Sequence, residues 1–93
     1  MNNVVPVIFK DARQITYFCN EVEPYGRTFK CKLKVVKDNS VYPASLLAIL
    51  KIGFNVPMDI IIESHNGDNI DNTIKCKESI ERWFVEYGNN NEN

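Results

Sequence analysis

The chain has 93 residues, 44% hydrophobic and 25% charged, which is the composition of one ordinary globular domain with no room for a second core. Its formal net charge is −1, so bulk electrostatics make no case for nucleic acid, and no apolar run approaches the ~18–20 residues that cross a bilayer. The charge is uneven: residues 1–43 carry seven Lys/Arg and four Asp/Glu, whereas residues 44–93 carry four and eight.

Residues 4–9 are β-branched and aromatic and predict a strand, placed at an edge because Pro6 cannot donate to a ladder. Residues 11–22 predict a helix: Ile15, Phe18, Cys19 and Val22 fall on one stripe, Asp11 is a suitable N-cap, and Pro24 with Gly26 are expected to stop it. Residues 28–36 alternate, with Phe29, Cys31, Leu33 and Val35 facing a core and Lys30, Lys32 and Lys34 facing the other way. A turn at 37–40 then allows a short return strand at Val41-Tyr42. Ser45 is an N-cap for a short helix over 45–52, and Gly53 sits where a left-handed residue ends it. Residues 58–63 predict a strand with Met58, Ile60 and Ile62 on one face. After a turn at 64–67, Asp68 or Asn69 is expected to cap a final helix ending near Tyr87, with Ile70, Ile74, Cys76, Ile80, Trp83, Phe84 and Tyr87 as its apolar band. Gly88 should stop that helix.

The resulting order, β-α-β-β-α-β-α, predicts an α+β fold: a four-stranded antiparallel sheet with its helices on one face. A single domain is expected over 1–88, followed by a disordered Asn-rich tail at 89–93. Periodicity does not separate a ferredoxin-like split βαβ from other sheets of this order. Cys19, Cys31 and Cys76 are three in number, contain no CxxC pair and show no zinc-ligand spacing. They read as reduced, small hydrophobes, which points to the cytoplasm. No metal and no cofactor is expected. The lysine stripe reads as a solvated sheet face, or as a docking face for an acidic partner.

Residues 45–85 have a more specific pattern. Ser45 opens an apolar helix, Leu46, Ile49, Ile52 and Gly53 follow, then Ile60 and Ile62 in a strand, then Gly67 and Asp68 before the last helix. This spacing resembles the C-terminal half of HPr, the histidine-containing phosphocarrier of the sugar phosphotransferase system. The resemblance implies an HPr-like open-faced β-sandwich across the whole chain. HPr carries its phosphorylated histidine in a His-x-Arg-Pro run at the start of the first helix. The counterpart here is Asp11, Ala12, Arg13 and Gln14, so the arginine is kept while aspartate and glutamine stand for the histidine and the proline. Gram-positive relatives are also phosphorylated, by an ATP-dependent kinase, on the serine that opens the short helix. The resemblance thus implies Ser45 as a regulatory phosphorylation site, although Pro43-Ala44 departs from the usual context.

A phosphocarrier needs an imidazole nitrogen held beside backbone N–H groups and a cation. Asp11 offers a carboxylate instead, and its plain role is a cap that also suits the helix dipole. The expected function is therefore non-enzymatic: an interaction and regulatory module related to the phosphotransferase system, with Ser45 as the switch. Leu46, Leu47, Ile49 and Leu50 are the candidate docking residues, with Arg13 beside them. Partners would be proteins: phosphotransferase components, HPr kinase or a transcriptional regulator. Neither nucleic acid nor membrane insertion is expected, and the chain should be a monomer or weak dimer. The first alternative is a phosphocarrier with an altered acceptor, Asp11 or His65. The second is an unrelated ferredoxin-like binding domain.

Overall fold

The computed structural model describes residues 3–64 and 70–89. The elements in chain order are β1 (Val4–Ile8), α1 (Ala12–Glu21), α2 (Glu23–Thr28), β2 (Cys31–Lys37), β3 (Ser40–Pro43), α3 (Leu46–Ile52), β4 (Pro57–Ser64) and α4 (Ile70–Trp83), and α4 continues as a π-helical turn over Phe84–Asn89. The strands form one antiparallel sheet in the order β1-β4-β2-β3. Their alternation fixes the faces. Val5, Val7, Cys31, Leu33, Val35, Met58, Ile60 and Ile62 are all buried on one side, where the helices pack. This is the expected α+β architecture, consistent with an HPr-like open-faced sandwich.

Phe18 lies at the centre of the core and is fully buried. Its ring meets Phe9 at 5.2 Å and Trp83 at 5.8 Å in edge-to-face geometry, and Phe84 at 5.7 Å in a tilted one. Such pairs add to plain apolar burial and tie β1, α1 and α4 together.

Three expectations need correction. The first helix does stop before Pro24, at Glu21, but Pro24 and Gly26 then build a further helix, α2, where none was expected. Proline lacks an N–H that the first turn of a helix does not use, so Pro24 starts the new helix as easily as it would stop the old one. Gly26 is buried where α2 crosses β2, and a Cβ there would lie 2.8 Å from the Cys31 carbonyl oxygen. Second, β2 begins at Cys31 and not at residue 28, because Lys30 takes φ 56°, which an extended strand cannot hold. Lys30 therefore drops out of the lysine stripe, and Lys34 is tied to Glu63 at 3.1 Å. Third, the apolar band of α4 is narrower than expected. Ile70, Ile74 and Tyr87 are exposed, while Thr73 is buried among Cys76, Ile80 and Trp83. The expected turn and helix cap at 65–69, with His65, Gly67, Asp68 and Asn69, lie outside the described residues.

Both edge strands carry a proline. The Ile62 N–H donates to the Asn3 carbonyl, so residues 3, 5 and 7 of the antiparallel pair bond toward β4, and residues 4, 6 and 8 point their backbone groups outward. Pro6 occupies one of those outward positions. In the β2–β3 hairpin, Lys37 pairs with Ser40 around a two-residue turn at Asp38 and Asn39, both at positive φ. By the same alternation, Pro43 opposite Lys34 also faces the free edge.

Candidate functional site

The start of α1 is closed by its own side chains. Asp11 adopts an extended backbone, and its Oδ1 accepts the Gln14 N–H at 2.9 Å. Gln14 is buried, and its Oε1 accepts the Lys10 N–H at 2.7 Å. The two bonds close the helix start in a variant of the capping box, with Gln14 reaching back to the residue before the cap. Aspartate followed three residues later by glutamine is the sequence signal for it. Ala12 and Arg13 are exposed. Among the described residues, no group of three or more His, Cys, Asp or Glu stands ready to hold the divalent ion that acyl-phosphate chemistry uses. A cleft of ≈570 Å³ runs beside β1 and includes Lys10 and Gln14, yet none of Asp11, Arg13 or Ser45 lines it.

The second cluster is on α3. Ser45 has an extended backbone, and its Oγ accepts the Ala48 N–H at 3.3 Å, the N-cap expected from the sequence. Ser45 is itself exposed. Leu47 is 76% exposed, Leu46 37% and Leu50 39%, so three of the four candidate docking residues lie at the surface. Ile49 does not. It is fully buried in the core, because an amphipathic helix gives one stripe to the interior, and α1 packs against this one. Phe54, 47% exposed, follows Gly53, whose φ of 105° turns the chain sharply after α3. Phe54 is a further exposed apolar residue, just past the helix, that the sequence reading did not single out. Ser45 also borders a cleft of ≈320 Å³ whose wall includes Arg27 and Lys32. Arg27 is highly exposed, with only a 3.7 Å contact to Glu23.

The thiols are poorly placed for chemistry. Burial pushes Cys19 above its ordinary value, and Glu23 adds to the shift. Burial first, and then the neighbouring Cys31, push Cys76 from 9.0 up to about 12. The thiolate is the nucleophilic form, so neither cysteine is activated. The folded state therefore favours the protonated thiol of Cys76. That contribution is complete below about pH 9 and is lost as pH rises toward 12. Urea midpoints measured from pH 8 to 10.5 should fall more steeply in the parent protein than in Cys76→Ala. Equal slopes would show that Cys76 does not carry the effect.

No protein-family model, curated protein or solved structure matches this chain.

Proposed function

We propose that this chain is an HPr-like, non-catalytic interaction module related to the phosphoenolpyruvate-dependent sugar phosphotransferase system, acting in the cytoplasm through protein partners. The observation that carries the reading is the set of exposed leucines, Leu46, Leu47 and Leu50, on the short helix that the exposed Ser45 caps. Exposed apolar patches on a packed domain mark interaction surfaces. The start of α1, by contrast, has its carboxylate and carboxamide committed to capping.

Phosphorylation at Ser45 would turn this surface from apolar to apolar-plus-dianionic. The γ-phosphoryl group of ATP passes to Oγ, ADP leaves, and the hydroxyl proton goes to the kinase's base. Arg27 and Lys32 border the same cleft, so the phosphate would have cations within reach, and Arg27 could exchange its long contact with Glu23 for a charge-assisted one. A partner sensitive to that charge would bind only one of the two forms.

The test is intact mass after incubation with HPr kinase and ATP. One added phosphate is expected, absent from Ser45→Ala. Leu47→Asp should fold normally, since so exposed a site usually changes stability by less than ~0.5 kcal/mol. Its phosphorylation should nevertheless slow at least ~10-fold if Leu47 is an anchor on the kinase. No added phosphate in the parent protein would remove the switch. Equal rates for Leu47→Asp would remove the docking role of α3.

A further inference from the structure

A third cleft, of ≈310 Å³, opens between α1–α2 and the end of α4. Tyr25, Phe29, Trp83 and Tyr87 supply aromatic surface to it, and Glu21 and Glu86 supply charge. Trp83 is almost fully buried and forms the floor. Its Nε1–H donates to Glu21 Oε1 at 3.1 Å, which holds that carboxylate at the mouth. Tyr25 and Phe29 stand edge to face at 6.4 Å, and Tyr87 tilts over Trp83 at 5.6 Å. The cleft borders the point where α4 becomes π-helical, and such turns concentrate at functional sites.

The chemistry of this lining is selective. Aromatic faces carry negative charge density and attract cations, most readily those that lose little hydration on entry. Two carboxylates outweigh the single guanidinium of Arg82, so the ionic lining is net negative. A small inorganic cation would exchange its water shell for too few oxygens, since no group of three or more His, Cys, Asp or Glu forms among the described residues. A methylated ammonium has a diffuse charge and apolar methyl groups, and it matches both parts of the lining. We propose that this cleft is a binding site for an organic cation of the quaternary-ammonium class.

Trp83 is the sole tryptophan, so its fluorescence reports the floor of the site directly. The full chain would be titrated with choline, with tetramethylammonium, and with 3,3-dimethylbutan-1-ol, the neutral carbon counterpart of choline, and the affinities repeated by calorimetry. Saturable binding of both cations is expected, with the neutral alcohol at least ~10-fold weaker. Glu86→Gln and Tyr87→Ala, both at exposed positions, should weaken choline about 3- to 10-fold, and Arg82→Gln should strengthen it. Equal affinity for the alcohol, no saturable binding by either method, or an Arg82→Gln change in the opposite direction would each overturn the assignment.

Discussion

Phe18→Ala is expected to destabilise the fold by about 3–5 kcal/mol, the range for removing a large aromatic ring from a packed interior. The ring is fully buried and touches three others, from the end of β1, from α4 and from the π-helical turn. Its loss therefore removes apolar burial and three ring pairs together, and it leaves a cavity whose walls are large, rigid side chains that cannot collapse into it. For a domain of this size, each kcal/mol moves the melting midpoint by ~4–8 °C, so a drop of at least ~12 °C should be seen by circular dichroism. Much of the total stability of a small domain would be consumed. Phe18→Leu retains much of the volume and should lose less than half as much. A Phe18→Ala protein melting within a few degrees of the parent would mean that α1 and α4 are not joined through this ring.

Gly26→Ala should be destabilising by about 2 kcal/mol, against the ordinary trend. In an exposed helix the same change gains ~1 kcal/mol, because alanine has less backbone entropy to lose. Here the added methyl would lie 2.8 Å from the Cys31 carbonyl oxygen, and that oxygen belongs to the backbone of β2, so no flexible side chain can yield to it. Either α2 lifts from the sheet or β2 shifts at its first residue. Urea unfolding of the two proteins decides the sign. A stabilised alanine variant would show that α2 does not approach β2 so closely. The same measurement bears on the Ser45 cleft, because Gly26 lines it beside Arg27 and Lys32.

Much of the fold was legible because two periodicities are strongly written. The alternation of Cys31, Leu33 and Val35 with Lys32 and Lys34 fixes which face of β2 is buried. The cap at Ser45 and the stop at Gly53 bound α3 to within a residue. Periodicity tells faces and not neighbours, so it does not yield the order β1-β4-β2-β3. Pro24 and Gly26 do mark the end of α1, but they also serve a short helix pressed against the sheet; only the approach of β2 distinguishes that from a loop. The candidate site was legible in part for a related reason. With all of its first five residues apolar, α3 has more hydrophobic surface than one core stripe can absorb, and the sequence does not say which residue goes inside. Packing against α1 settles it: Ile49 is interior, and its leucine neighbours stay out. Gln14 was invisible as a buried residue because its polarity suggests the surface, yet its carboxamide has a backbone partner in Lys10.

The outward-facing prolines of β1 and β3 have a consequence for how far the sheet can extend. Strand addition is a propagation reaction: each docked strand exposes a fresh row of donors and acceptors, and growth ends only where that row is interrupted. Many proteins interrupt it with like charges, a barrier that weakens as ionic strength rises. At Pro6 and Pro43 the interruption is an N–H that the chain does not possess, and no change of salt, pH or concentration can restore it. Both ends of the ladder thus carry a chemical terminator, and the four-strand width is set by covalent structure and not by solution conditions.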